Sequence, residues 1–207
     1  MANTRQIAKY QTNKYLLEIL DNLQIAEPEN ASNIHGKFSK IKLLALDYSQ
    51  GTGDKTVTAD INLNPATAKY LAEIILNGTL QQTALIKSEV KFNALSEQKI
   101  LSHKLDDQDM ARVTIFSVDF DGTRRYCWQV TVENGIGKPQ KQSTGGISLQ
   151  KGSYIKQKQV NVFMSDMDFK KLLITTRDYI QAWEIVHLRG LLEKRGVYEE
   201  ATTTAAS

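Results

Sequence analysis

The apolar residues near the N-terminus recur at helical spacing. They are Ile7, Tyr10, Leu16, Leu17, Leu20 and Leu23, with lysine and asparagine residues between them. This spacing predicts an amphipathic helix from Thr4 to Gln24, which ends before the proline of the Glu27–Asn30 segment. We therefore expect residues 1–30 to form an N-terminal helix and linker outside the main domain.

Farther along the chain, apolar and polar residues alternate, and alternation predicts strands rather than helices. The predicted strands cover residues 40–48, 55–63, 86–92, 113–119, 126–132 and 154–164. Residues 101–110 and 134–146 lack this alternation and are expected to be a polar connection and a glycine-bearing loop. The short spacing between neighbouring strands favours antiparallel hairpins.

Two stretches predict the same order of elements, an alternating strand that runs through a capping residue into a helix. The first is INLNPATAKYL, with Asn64 before Pro65, and the second is VFMSDMDFKKL, with Ser165 before Asp168. The first helix should stop at Gly78 and the second near Arg195. This pseudo-repeat, several antiparallel strands and then a helix, twice, predicts an α+β protein and argues against a doubly wound sheet, with one domain over residues 34–195. Residues 196–207 should be a disordered tail.

The stretch VTIFSVDFDGTRRYCW contains Asp119-x-Asp121-Gly-Thr, which is similar to the opening motif of the haloacid dehalogenase phosphohydrolases. In that motif both carboxylates project from the end of a parallel strand, which needs a crossover of a dozen or more residues before its neighbour. Here another alternating segment follows after about three residues. The pattern therefore favours an antiparallel hairpin that turns at Asp121-Gly122, and we expect no enzyme.

Composition and charge narrow the possible functions only slightly. The chain has 207 residues and a net charge of +3, but residues 112–158 hold eight basic residues against three acidic ones. One cysteine, Cys127, and three scattered histidines favour neither a disulfide nor a metal site, so no cofactor is expected. With no signal-like or membrane-spanning apolar run, the sequence predicts a cytoplasmic protein without a membrane partner.

The layout from about Lys37 to Ile185 resembles that of the Whirly family of single-stranded DNA-binding proteins and, more remotely, that of the PC4-like coactivators that share its fold. KIKLLAL corresponds to that family's Lys-x-Lys strand, and INLNPATAKYLAEI is similar to its strand that runs into a capped helix. VTVENG followed by VNVFMSDMDFKKLL is similar to its second such unit, and Trp183 lies on the closing helix as a tryptophan does there. The glycine of the family's Lys-Gly-Lys signature is absent here.

The resemblance implies two antiparallel sheets packed against helices and a homo-oligomer, a tetramer in that family, with single-stranded DNA along the surfaces of the sheets. Single strands bind to cationic grooves and to aromatic faces on which bases stack. The residues that could supply these groups are Lys40, Lys42, Lys87, Lys91, Lys156 and Lys158 on strand faces, Arg124 and Arg125 at the hairpin tip, and Tyr48 and Tyr154 at strand ends. Phe92 and Trp128 lie on the apolar faces and are expected in the core.

The favoured hypothesis is therefore a largely sequence-independent single-stranded DNA-binding protein of a bacterium or a mobile element. The alternative is a non-enzymatic assembly protein of a phage or mobile element, in which the terminal helices mediate association and the lysines only solvate the surface. A phosphohydrolase with Asp119 as the nucleophile is the third possibility.

Overall fold

The computed structural model describes residues 5–27, 37–87, 89–105 and 109–194, which form two four-stranded antiparallel sheets and four α-helices. The first sheet consists of β1 (Gln6–Gln11), β2 (Tyr15–Asn22), β3 (Lys40–Asp47) and β4 (Val57–Leu63), followed by α1 (Pro65–Leu76) and α2 (Thr79–Ile86). The second sheet consists of β5 (Lys91–Leu105), β6 (Ala111–Asp121), β7 (Trp128–Gly137) and β10 (Ile155–Met164). A small hairpin of β8 (Pro139–Lys141) and β9 (Ile147–Leu149) precedes β10, and α3 (Asp166–Val186) and α4 (Leu188–Lys194) follow it.

The strand order confirms the predicted α+β class, the antiparallel sheets and the strands-then-helix repeat. Both sheets are meanders in chain order, β1-β2-β3-β4 and β5-β6-β7-β10, and each leads directly into a helix. The predicted caps are present, since the Asn64 side chain accepts a hydrogen bond from the Ala66 amide at 2.9 Å and Ser165 accepts one from the Asp168 amide at 3.2 Å. Residue Gly78, where α1 was expected to stop, has φ 73°.

The predicted N-terminal helix is wrong. Residues 6–22 instead form β1 and β2, joined by a turn in which Thr12 Oγ1 accepts a hydrogen bond from the Tyr15 amide at 3.0 Å. Leu17 and Ile19 lie two residues apart on β2 and are both buried, which is the period of a strand. The spacing of the apolar residues is also compatible with a helix, so it did not distinguish the two structures. Residues 6–22 are thus part of the first sheet, where β2 pairs with β3, and not a helix outside the main domain. Residues 28–30 of the predicted linker lie outside the described residues.

The strand predicted over residues 86–92 is also wrong. The Asn77 side chain accepts a hydrogen bond from the Thr79 amide at 2.9 Å, which starts a second helix, α2, that continues to Ile86. Ile86 and Val90 are 86% and 52% exposed, so no sheet covers their side chains. The strand begins only at Lys91 and continues as β5 through the first half of the predicted polar connection, to Leu105, where β6 offers a long antiparallel partner.

One core lies between the two sheets and the helices α1 and α3. Trp128 is fully buried at its centre, and Phe92 packs against the same cluster, as predicted. The glycine-bearing loop predicted after residue 134 begins later, because β7 continues to Gly137 and the hairpin β8–β9 occupies much of the rest. The final helix bends at His187, whose ring stacks on Trp183 with centroids 4.1 Å apart.

Residue 195 and the predicted tail lie outside the described residues. None of the described helices is both long and apolar enough to cross a membrane.

Candidate nucleic-acid interface

The tip of the β6–β7 hairpin is built around the carboxylate of Asp121. It accepts hydrogen bonds from the Thr123 hydroxyl at 2.6 Å and the Thr123 amide at 3.1 Å, and it pairs with Arg124 Nε at 3.0 Å and Lys91 Nζ at 3.1 Å. These contacts, the Thr123 hydroxyl above all, lower the pKa of Asp121 to about 2. Asp121 therefore stays ionised and fixes the conformation of the turn.

The predicted antiparallel hairpin is confirmed, since Phe120 on β6 pairs with Trp128 on β7. The turn is longer than the predicted three residues, and Tyr126 belongs to it rather than to the strand. Asp119 accepts hydrogen bonds from Asn93 Nδ2 at 2.8 Å and from Ser117 Oγ at 3.0 Å. The two aspartates thus lie on an antiparallel ribbon and not at the end of a parallel strand, the setting that the phosphohydrolase motif requires.

The hairpin tip and the β1–β2 turn face each other across a cavity of 620 Å³. We call this cavity the basic–aromatic groove, and its lining residues are Tyr10, Thr12, Asn13, Lys14, Tyr15, Arg124, Arg125, Tyr126 and Phe163. Three cationic and four aromatic side chains therefore share one surface. The Arg125 guanidinium lies 5.7 Å from the ring centroid of Tyr126, and Tyr126 is 48% exposed. This arrangement presents charge and an aromatic face together.

A second cavity, of 410 Å³, continues the groove onto the surface of the second sheet. It shares Arg124, Tyr126 and Phe163 with the first cavity and adds Lys91 and Asp119. Since Lys91 and Arg124 both pair with Asp121, Arg125 is the groove arginine that has no ion pair within the described part of the chain. A ligand can therefore pair with Arg125 without displacing a carboxylate.

A second cationic cluster lies where the two sheets meet, and we call it the sheet junction. Arg112 Nη2 is 2.6 Å and Lys42 Nζ is 3.4 Å from the Asp60 carboxylate. The pKa of Lys99 is lowered, mainly by burial of its ammonium group and secondly by the nearby positive charge of Lys40. Lys42 and Arg112 thus flank Asp60, and Lys99, which donates to the Asn62 carbonyl, lies near Lys40. These four cations give the junction a local excess of positive charge. Lys40 and Lys42 are two of the residues that the sequence proposed.

The amide of Asn134 holds the sheet junction together. Its Oδ1 accepts a hydrogen bond from the Asp60 amide at 2.9 Å, and its Nδ2 donates to the Asp60 carbonyl at 2.8 Å. These two hydrogen bonds connect the edge strand β4 to β7. Because β3 pairs with β4 and β6 pairs with β7, the cations of β3 and β6 keep a fixed spacing. Lys42 lies on β3, six residues before Tyr48, which directly follows the end of β3 beside the groove. Six residues of extended strand place the junction about 20 Å from that end.

The remaining predicted residues lie in several places. Lys156 and Lys158 project from the exposed start of β10, where Lys156 is 2.7 Å from Gln159 and 3.8 Å from Glu133. The hydroxyl of Tyr154 donates a hydrogen bond to Glu133, and burial followed by this bond raises the pKa of Tyr154. The Tyr154 ring lies over Gly135, where an added Cβ would come within 2.7 Å of it. That tyrosine is therefore part of the sheet surface.

The prediction that Lys87 and Lys91 share one strand face is wrong. Lys87 follows the last turn of α2, with its amide 3.2 Å from the Thr83 carbonyl, whereas Lys91 begins β5 and lines the 410 Å³ cavity. Tyr48 lies beside the groove, because its amide donates to the Lys14 carbonyl at 2.7 Å. The structure therefore brings Lys91, Arg124 and Arg125 together and places Tyr48 nearby.

Seven residues that complete the two cationic surfaces were not among the predicted ones. They are Tyr10, Lys14, Tyr15, Tyr126 and Phe163 in the groove and Lys99 and Arg112 at the junction. Three of them fell in the segment predicted to be a helix. The adjacent Arg-Arg-Tyr step at residues 124–126 was a usable signal, since it sets an aromatic ring beside two positive charges.

Comparison with protein-family models, curated proteins and solved structures found no match to this chain. Within the described residues, no three histidine, cysteine, aspartate or glutamate side chains lie together as metal ligands would.

Proposed function

We propose that the chain is a non-enzymatic protein that binds single-stranded DNA along the basic–aromatic groove, largely independently of sequence. The observation that carries this proposal is the grouping of Lys14, Arg124 and Arg125 with four aromatic rings around one open cavity. Cationic side chains track phosphates, and exposed rings stack on bases of any identity. Both requirements of single-strand binding are met on one surface.

The aromatic part of the groove favours single strands over duplexes. In a duplex the base faces are covered by their neighbours, so an exposed ring such as Tyr126 has nothing to stack on. Stacking contributes about 1–3 kcal/mol per base, whereas phosphate contacts are available in either form. The preference for single strands over duplexes should therefore come from the aromatic rings, and the salt dependence of the affinity should come from the cationic side chains.

The sheet junction supplies a second contact for the same strand. Its distance of about 20 Å from the groove end of β3 corresponds to a few nucleotides of an extended single strand. Lys40, Lys42 and Arg112 would neutralise phosphates there, with Asp60 setting their positions. The exposed lysines of β10 would extend the cationic path.

A fluorescence-anisotropy titration tests the proposal. We expect a labelled oligothymidylate of about 20 nucleotides to bind more tightly than a duplex of equal length, and the affinity to fall steeply between about 50 and 200 mM salt, because released counterions drive binding. A mixed-sequence single strand serves as the control for sequence independence. Absence of binding at low salt, or equal affinity for the duplex, would refute the proposal.

A second candidate function, assembly through self-association, rests on the bend between α3 and α4. Ile185, Val186 and Leu188 are 72%, 78% and 52% exposed there, an unusual grouping of large apolar side chains on one surface. Association of this surface with a second copy would bury it and is compatible with DNA binding by the oligomer. The molar mass in solution, measured with and without DNA, distinguishes an assembly that needs DNA from one that does not.

A further inference from the structure

One row of side chains crosses the second sheet within the 410 Å³ cavity. Asn93, Asp119, Gln129 and Phe163 are register partners on the four neighbouring strands β5, β6, β7 and β10. The adjacent row, which contains Trp128, points into the core, so this row points outward. Neighbouring strands are about 4.8 Å apart, which places Asp119 about 10 Å from Phe163.

Asp119 and Asp121, the two carboxylates at this end of the sheet, differ in whether a cationic side chain pairs with them. Asp121 is neutralised by Lys91 and Arg124, whereas the hydrogen-bond partners of Asp119 in the described structure are the uncharged Asn93 and Ser117. The two carboxylate oxygens of Asp119 are anionic and repel phosphate, although cationic side chains line the same cavity. This carboxylate attracts a group that presents N–H donors, and each of its oxygens keeps further accepting capacity.

The amide nitrogen of Asn93 is already engaged. It donates to Asp119 at 2.8 Å and to the Val118 carbonyl at 3.4 Å, while Asn93 Oδ1 accepts a bond from Ser96 at 3.3 Å. Gln129 donates through Nε2 to Thr131 Oγ1 at 3.2 Å. The cavity thus presents the carboxylate of Asp119 as an acceptor beside the cationic Lys91 and Arg124, with Tyr126 and Phe163 among its aromatic lining residues.

Among the four bases, guanine matches a carboxylate best. It offers a ring N–H and an amino group side by side, which can donate to the two oxygens of one carboxylate, as an arginine does. Adenine and cytosine each offer an amino donor next to an acceptor, and thymine offers one N–H between two carbonyl oxygens. Unpaired bases are commonly read through this edge while their faces stack on aromatic rings.

We propose that the cavity bounded by Asn93, Asp119, Tyr126, Gln129 and Phe163 binds one unstacked base of the bound strand and selects guanine through Asp119. The proposal rests on the proposed function and adds one selective position to otherwise sequence-independent binding. Arg124, which lines both cavities, would hold the adjacent phosphate. Asp119 thus becomes the specificity-determining residue.

The test compares labelled oligothymidylates of about 12 nucleotides in which one central base is thymine, guanine or inosine. Guanine should bind roughly 5- to 100-fold more tightly than thymine, since a good bidentate pair discriminates by about 1–3 kcal/mol. Inosine lacks the amino group and should fall between them. This part of the test uses only the unmodified protein.

Asp119→Asn should remove the guanine preference while leaving the oligothymidylate bound at least as tightly, because a negative charge is lost from the groove. Asp178→Asn, an equal charge change on α3, should keep the preference. Equal binding of guanine and thymine oligonucleotides, or a preference that survives Asp119→Asn, would overturn the guanine pocket but not single-strand binding. Failure to bind any oligonucleotide at low salt would overturn both.

Discussion

Replacing Trp128 by alanine should lower the free energy of unfolding by about 3–5 kcal/mol, the largest stability loss we expect from a single substitution. The indole is fully buried and contacts Phe120 and Phe169, with ring centroids 4.8 and 5.1 Å away. Its N–H also donates to Asp166 Oδ1 at 2.9 Å, which connects β7 to the first turn of α3. The substitution therefore leaves a cavity and removes a charge-assisted hydrogen bond.

Two controls separate these contributions in a urea titration. Trp128→Phe keeps most of the volume and should lose about 1.5–3 kcal/mol for the hydrogen bond to the carboxylate. Trp183→Ala removes the same side chain from the half-buried end of α3 and should cost less than Trp128→Ala. Equal losses at both tryptophans would contradict the packing described for the core.

The second large effect concerns binding. The double substitution Arg124→Gln and Arg125→Gln should weaken single-stranded DNA binding roughly 10- to 100-fold at low salt, because two charge-assisted phosphate contacts are lost. The dependence of log affinity on log salt should become shallower by about 1.4, near 0.7 for each contact with a single strand. Anisotropy titrations at several salt concentrations measure both quantities.

A matched control uses Lys138→Gln with Lys141→Gln, which removes two charges from the exposed region of the β8–β9 hairpin. This variant should retain most of the affinity and most of the salt dependence. Since Arg124 also pairs with Asp121, the melting temperature of each variant establishes that it is folded. If both double variants lose affinity equally, net charge rather than the groove governs binding.

The elements that the sequence predicted correctly are those determined locally. Asn64-Pro65 and Ser165 fix helix starts through contacts within three residues, and strict alternation of apolar and polar residues marks β4. The antiparallel hairpin followed from the short distance between Asp121 and the next strand. Local hydrogen bonding and side-chain period are sufficient for these features.

The wrong predictions fall in segments whose secondary structure is determined by pairing with strands distant in sequence. The spacing of apolar residues over 6–22 fits a helix, but β3 provides a partner strand that buries Leu17 and Ile19. The predicted strand over 86–92 failed because no sheet face covers Ile86. Strand pairing depends on residues far away in sequence, which a single window cannot detect.

The candidate site was predicted only in part for the same reason. Arg124 and Arg125 were expected from the hairpin tip, but the groove also needs Tyr10 and Phe163, which lie far apart along the chain and meet only after folding. Tyr154 was expected to stack on bases because it ends a strand. Its hydroxyl bonds to Glu133, a contact that depends on the register of β7 and β10 and that the sequence alone did not reveal.

The central claim is that a single strand lies in the basic–aromatic groove, and photocross-linking tests it most directly. An oligothymidylate carrying a photoreactive thymine analogue would be irradiated with the protein at low salt, and the adducts located by mass spectrometry. We predict adducts on Tyr10, Tyr126 or Phe163, the rings positioned to stack on bases. Adducts confined to residues outside the groove, such as the exposed surface of α3, or no adduct at all, would contradict the account.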